Sequence, residues 1–159
     1  MTNITISKAE EKDVSDIGIL HYQAWYDTYK NIMCKDFLDY NTQEKLEYDA
    51  KVKVNTTYIA KANNEFCGFL YYKHLFNQIE IHELYILKEY RGLGIGTKLI
   101  SHLIENQNKA TDIILWVLRR NTKAISYYKG QGFLETDKIK IVKVNNSTSY
   151  YVDCYKKSL

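Results

Sequence analysis

The 159-residue sequence has no proline, only three cysteines and no long apolar run. Cys34, Cys67 and Cys154 are far apart and lack CxxC spacing, so they indicate neither a disulfide framework nor a zinc site. No segment approaches the roughly 20 apolar residues of a membrane helix, and the first ten residues contain no apolar signal-peptide centre. These absences predict a cytoplasmic protein without a membrane partner or a bound metal.

The net charge is also small. A total of +3 is too low to indicate a nucleic-acid partner. Its distribution is uneven. Residues 1–50 carry five lysines and ten acidic residues, a net charge of −5, whereas residues 51–159 have a net charge of +8. This asymmetry favours two ligand surfaces of opposite preference, with solvated faces that bind nothing as the alternative.

The apolar periodicity predicts one mixed α/β domain over residues 1–159, built around a single sheet. Predicted strands cover residues 4–6, 57–62, 66–72, 79–87, 112–118, 139–144 and 150–155. Predicted helices cover residues 13–30, 42–52, 97–106 and 121–129, although Gly18 is unfavourable inside the first of them. Asn63-Asn64 and Asn145-Asn146 are predicted to join neighbouring strands as hairpins.

A glycine-rich loop lies between a predicted strand and a predicted helix, with the sequence Arg91-Gly92-Leu93-Gly94-Ile95-Gly96. Its N–H groups, together with the positive end of the helix, suit a phosphate or pyrophosphate. A dinucleotide fingerprint would need glycine at position 97, which is Thr97, and a P-loop would need lysine directly after Gly96. Both familiar phosphate motifs therefore fail on spacing, and a tight turn without a ligand remains an alternative.

Two segments at characteristic spacing resemble the GNAT superfamily of N-acetyltransferases. Residues 84–96 resemble its core motif, [RQ]-x-x-G-x-[GA], which is met by Arg91, Gly94 and Gly96. Residues 121–133 resemble its second motif, N-x-x-A-x-x-[FLY]-Y-x-x-x-G-F, and residues 21–29 resemble the first helix of bacterial members. The resemblance implies a mostly antiparallel mixed sheet flanked by helices, with two splayed central strands, and acetyl-CoA as co-substrate.

The resemblance also implies which residues bind acetyl-CoA. Backbone groups of Leu84, Tyr85 and Ile86 would hold the thioester and the pantetheine arm. The loop would hold the pyrophosphate through Arg91, Gly92, Leu93, Gly94, Ile95, Gly96 and Thr97. Asn121 would bond the pantetheine arm or cap the helix that follows it, and the two roles are compatible.

Tyr128 matches the general acid of the family. A departing thiolate has a reference pKa of about 8.5 and a phenol about 10, so proton donation is feasible in a concerted step. Simple packing is the alternative for Tyr128. Tyr127 lies about 100° around the helix and is predicted to belong to the core.

The acceptor amine needs a base, since an alkyl ammonium with a pKa of about 10.4 is protonated at neutral pH. Strand alternation predicts Glu80 and His82 on one face and Glu83 on the other. Glu80 and His82 are the candidate bases, unless this strand is half exposed and its charges are merely solvated. Trp116 stands where members that acetylate protein N-termini often carry glutamate, which argues against that substrate class.

A small cationic amine such as a polyamine is the predicted acceptor. The acidic first helices would face it, with Trp25, Tyr29 and Glu83 as substrate-binding residues, although aromatic residues at helical spacing equally suit a core. Residues 85–90 resemble the Y-[IV]-L-x-x-[YF] run of bacterial polyamine acetyltransferases, which implies a bacterial polyamine-like branch of the family. A homodimer is possible. Acetylation of a protein side chain, or an acetyl-CoA-binding regulatory module without turnover, remain alternatives.

Overall fold

The computed structural model describes residues 1–159 as seven strands and five α-helices. The strands are β1 Ile4–Lys8, β2 Thr57–Ala62, β3 Glu65–Leu75, β4 Gln78–Ile86, β5 Asp112–Leu118, β6 Leu134–Lys143 and β7 Ser149–Ser158. The helices are α1 Val14–Tyr29, α2 Lys35–Leu38, α3 Gln43–Lys53, α4 Ile95–Glu105 and α5 Thr122–Gly130.

All seven strands form one sheet in the order β1-β2-β3-β4-β5-β7-β6. The β4–β5 pair is parallel and every other pair is antiparallel, which confirms the predicted mixed, mostly antiparallel sheet. Apolar side chains are buried on both faces of this sheet. The larger cluster joins one face to α4 and includes Leu99, Leu103 and Phe133, while the smaller cluster joins the other face to α1 and α3.

Gly18 lies where α1 crosses α3. A Cβ atom at this position would stand 2.2 Å from Glu47 Cγ and 2.7 Å from Glu47 Cα, so only glycine permits this approach. The residue that is unfavourable for an isolated helix is therefore required by the contact between two helices.

Several element boundaries differ from the predictions. β3 continues to Leu75 and turns into β4 at Phe76-Asn77, and β6 begins at Leu134. Both hairpins are confirmed, and Asn63 and Asn64 have φ values of 50° and 70°, as a type I′ turn requires. The short helix α2 was not predicted, since four residues carry too little periodicity.

The described helices are all too short or too polar to cross a membrane. The chain also contains no group of three or more His, Cys, Asp or Glu residues placed to hold a metal ion.

Candidate active site

A cavity opens where the two central strands separate. Gln78–Ile81 of β4 pair with Asp112–Leu115 of β5, and the two strands do not pair beyond Ile81 and Leu115. The gap forms the first cavity, with a volume of about 480 Å³. Its walls are the separated ends of β4 and β5, the glycine loop with the start of α4, and one side of α5. The splayed central strands implied by the sequence resemblance are therefore present.

A bulge in β4 changes the side-chain directions predicted for this strand. Tyr71 pairs with Glu83 and Tyr72 with Ile81, so His82 is an extra residue without a partner on β3. An extra residue resets the alternation of a strand. The prediction that Glu83 faces away from Glu80 and His82 is therefore wrong.

The contacts of His82 and Glu83 place both side chains on the face of the sheet that α1 and α3 cover. The His82 ring lies 5.6 Å from the Tyr71 ring, and Lys53 Nζ, which contacts Glu83, lies 4.9 Å from that same ring. Strict alternation from Glu80 fails because it counts His82 as an ordinary strand residue.

The glycine loop presents a row of free backbone donors. The N–H groups of residues 92–97 donate to no acceptor in the chain, and the first bonded N–H is that of Lys98, 3.0 Å from the Gly94 oxygen. Gly94 turns the chain into α4 with φ 76°, a left-handed conformation that favours glycine. Six adjacent donors at a positive helix end fit a pyrophosphate, so the residues present suit acetyl-CoA.

Arg91 and Leu93 differ in their relation to the first cavity, since Arg91 lines it and Leu93 does not. Arg91 Nε donates to the Ile86 oxygen at 3.0 Å and so ties the loop to the end of β4. Leu93 is 46% exposed and is the one residue between 91 and 97 that does not line the first cavity.

Asn121 closes the cavity at the start of α5. Its Oδ1 accepts a hydrogen bond from Ala124 N at 3.2 Å, which confirms the helix-capping role. Asn121 also lines the first cavity, so contact with the pantetheine arm stays a prediction.

Tyr128 and Tyr127 both line the first cavity from α5, with ring centroids 5.2 Å apart. Burial raises the pKa of Tyr128 above its usual range, and the neighbouring Tyr127 and Tyr29 raise it further. The Tyr128 hydroxyl therefore keeps its proton at neutral pH. The Tyr127 hydroxyl is buried without a hydrogen-bond partner beside Gly96, where a Cβ atom would stand 2.6 Å from it.

A second cavity, also of about 480 Å³, adjoins the first. Both are lined by Tyr29, His82, Glu83 and Tyr85, which we call the junction. The remaining lining residues of the second cavity are His21, Trp25, Phe37, Tyr40, Asn41, Lys45, Leu46 and Asp49. All of them belong to the acidic first third of the chain.

Trp25 lines the second cavity but not the first, and it also packs against other aromatic rings. It is 4% exposed, and its ring stacks on Phe37 at 5.4 Å and lies 5.9 Å from Tyr29. The two aromatic residues predicted to bind substrate therefore differ in position: Tyr29 lies at the junction, and Trp25 packs behind it in the wall of the second cavity.

Glu83 at the junction has two partners that the sequence did not reveal. Lys53 Nζ lies 2.6 Å from Glu83 Oε1, and His21 Nδ1 lies 3.9 Å from Glu83 Oε2. Burial raises the pKa of Glu83, and the positive charge of Lys53 opposes that rise. Burial, with a smaller effect of Lys53, lowers the pKa of His21 to about 3, so His21 is neutral.

His82 is the second polar group at the junction. Its Nε2 lies 2.8 Å from Glu80 Oε1, and Glu80 itself lines neither cavity. Burial lowers the pKa of His82, although the charge of Glu80 opposes this effect. The neutral imidazole is therefore available to accept a proton near pH 7.

Trp116 occupies the β5 wall of the first cavity. Its Nε1 is buried without a hydrogen-bond partner, and Lys140 Nζ lies 3.8 Å from the ring centre. An indole cannot act as a base, so Trp116 does not remove a proton.

Residues 22–133 match the Acetyltransferase (GNAT) family. A probable N-acetyltransferase of Mycobacterium tuberculosis is 26% identical over 142 residues, which cover 83% of this chain and 80% of that protein. An uncharacterized N-acetyltransferase of Methanocaldococcus jannaschii is 44% identical over 63 residues, 38% of this chain. The chain spans only 28% of the length of that second relative.

Solved structures share the fold over the whole chain. The PaiA N-acetyltransferase of Thermoplasma acidophilum, in complex with coenzyme A, superimposes with a TM-score of 0.80 at 21% identity and covers 99% of both chains. The YncA protein of Salmonella typhimurium, with its cofactor acetyl-CoA, gives a TM-score of 0.72 at 16% identity. That match covers 99% of this chain and 94% of YncA.

Proposed function

The chain belongs to the acetyltransferase (GNAT) family, whose co-substrate is acetyl-CoA, and we propose that it acetylates the primary amine of a small cationic acceptor. A polyamine is the leading candidate. One observation carries the proposal: a cavity bordered by the glycine loop with its free N–H donors meets, at the junction, a cavity with acidic and aromatic walls.

The first cavity suits acetyl-CoA, which supplies the activated acetyl group when it is bound. The N–H groups from Gly92 to Thr97 would bind the pyrophosphate. Beyond Ile81, β4 has no partner on its β5 side, so backbone groups of Leu84, Tyr85 and Ile86 can orient the pantetheine arm. The CoA complex of the PaiA neighbour supports this side of the proposal.

The second cavity suits a cation. Asp49 lines it and has no lysine, arginine or histidine within 4.0 Å, and Glu83 stands at its inner end. The rings of Tyr29 and Phe37 add faces on which an ammonium group is stabilised. Lys45 is the one lysine in this lining, and its Nζ lies 3.3 Å from the centre of the Tyr40 ring.

Proton removal from the acceptor ammonium is assigned to His82, with Glu80 as the residue that orients it. A neutral imidazole at the junction accepts one proton, and the Glu80 carboxylate stabilises the imidazolium that forms. The freed amine nitrogen then bonds to the acetyl carbon as the carbon–sulfur bond breaks. Tyr128 donates its proton to the departing sulfur, which leaves as the free thiol. The second proton of the new amide nitrogen then returns to the Tyr128 phenolate, and His82 releases its proton to solvent, so both residues regain their starting state.

Thiol release from acetyl-CoA tests the proposal. Purified protein is assayed with polyamines, aminoglycosides, amino acids and lysine peptides, beside the Tyr128→Phe variant. Release that depends on a polyamine and falls in the variant is the expected result. Release only with peptides would move the acceptor to proteins, and tight acetyl-CoA binding without any release would instead indicate a regulatory module.

A further inference from the structure

We propose that Lys53 is a positioning residue that keeps Glu83 ionised and fixes one of its two carboxylate oxygens. The inference rests on the proposed function, in which Glu83 faces the acceptor. Lys53 lies at the last position of α3 and lines neither cavity, so it acts on an acceptor only through Glu83.

The two carboxylate oxygens of Glu83 differ in their hydrogen-bond partners. Oε1 accepts a hydrogen bond from Lys53 Nζ at 2.6 Å. Oε2 has no hydrogen-bond donor in the chain, because His21 Nδ1 at 3.9 Å is beyond hydrogen-bond distance. The ion pair therefore leaves Oε2 free for an acceptor ammonium.

The surroundings show why a fixed cation is needed. The Glu83 side chain is 17% exposed, and burial of this kind disfavours a carboxylate. The titratable groups that face it from α1, α3, β3 and β4 are His21, Asp49, Lys53, Tyr71, His82 and Tyr85. Lys53 is the only lysine or arginine among them, and Asp49 adds charge of the same sign as Glu83.

Removal of Lys53 should change the pKa of Glu83 in one direction only. The opposing charge disappears, so the pKa of Glu83 rises further above its usual value. A protonated Glu83 does not attract an ammonium, and a higher pH is then needed to restore the carboxylate. The acid limb of kcat/KM for the amine must move to higher pH.

The test compares Lys53→Met, Lys53→Arg and Lys51→Met. Lys51 lies on the exposed side of the same helical turn and forms no ion pair, so Lys51→Met is the matched control. We expect the acid limb in Lys53→Met to move up by about one pH unit or more. Lys53→Arg should restore the wild-type limb, and the KM for acetyl-CoA should stay unchanged in all three variants.

A second readout does not depend on activity. The Glu83 carboxyl carbon is followed by ¹³C NMR across pH, with Glu83→Gln to assign its signal. An unchanged Glu83 titration in folded Lys53→Met protein would overturn the inference. The NMR titration decides because Lys53 also disfavours protonation of His82, so the acid limb alone reports both residues. If the wild type shows no amine-dependent release, the proposed function fails while the NMR titration still decides the role of Lys53.

Discussion

The two cavities that meet at the junction differ in the groups that form them: backbone groups form the first, and side chains form the second. The first depends on backbone: unpaired N–H groups at the start of α4, and a β4 edge left open where β5 turns away. The second depends on side chains from α1, α2, α3 and β4, which residues far apart in sequence supply. A backbone site is specified by a short local pattern, whereas a side-chain site exists only after the helices pack on the sheet.

This difference predicts separate effects on the two substrates. Substitutions at the second cavity should change the KM for the acceptor and leave acetyl-CoA binding intact. Substitutions in the glycine loop should do the reverse. Tyr128 is a third case, since it lines the first cavity and, in the proposed reaction, acts on the departing sulfur.

The largest expected effect is that of Tyr128→Phe. Loss of a general acid typically lowers a rate by about 10²–10⁴-fold, so kcat should fall within that range. The ring remains to line the cavity, and acetyl-CoA affinity measured by calorimetry should not change. Stopped-flow thiol release measures kcat at saturating amine.

Tyr127→Phe is the matched control for that substitution. The Tyr127 hydroxyl has no hydrogen-bond partner, so its removal should change kcat by a few-fold at most. If the two variants lost activity equally, the assignment of the acid to Tyr128 would fail.

Glu83→Gln should give the next largest effect. A hydrogen bond to a charged group contributes about 1.5–3 kcal/mol, so the KM for a cationic amine should rise by roughly 10- to 100-fold. Acetyl-CoA affinity should stay the same, which steady-state kinetics with each substrate varied would show. Glu44→Gln, on the exposed first turn of α3, is the control; equal KM values for wild type and Glu83→Gln would remove Glu83 from the acceptor site.

The sequence predicted the sheet, and the glycine loop between β4 and α4, well because their signals are local. Glycine spacing, apolar periodicity and the Asn63-Asn64 turn each act over a few residues. The bulge at His82 escaped prediction because a bulge adds one residue without any change in composition. That one residue decided which face Glu83 occupies.

The sequence did not predict His21 and Lys53 as partners of Glu83. Thirty residues separate Lys53 from Glu83, and neither residue belongs to a spaced motif. The contact arises because α1 and α3 pack together at Gly18 and cover the same face of the sheet. Long-range packing of this kind leaves no local pattern to read in a single sequence.

His21 provides a stability test of the second cavity. Its pKa falls to about 3 in the folded protein from 6.5, so the unfolded chain binds the extra proton between these values. Stability therefore falls as pH decreases through this range, by up to about 1.4 kcal/mol per pH unit. His21→Gln should remove this contribution, and urea unfolding at pH 6 and pH 5 would measure the change in slope.

The control for that experiment is His74→Gln, since His74 is exposed on β3 and lines neither cavity. Urea unfolding of His74→Gln at the same two pH values shows the effect of removing an exposed histidine. A His21→Gln slope that matched the wild type would show that His21 is protonated normally in the folded state.

The smallest expected effect separates backbone strain from ligand binding at the first cavity. Gly94 and Gly132 have φ values of 76° and 87°, where alanine costs about 1 kcal/mol, and only Gly94 lines the cavity. Gly94→Ala and Gly132→Ala should therefore lose similar stability in urea unfolding, while calorimetry shows a several-fold loss of acetyl-CoA affinity in Gly94→Ala alone. An equal loss of affinity in both variants would mean that general destabilisation, and not the geometry of the N–H row, controls acetyl-CoA binding.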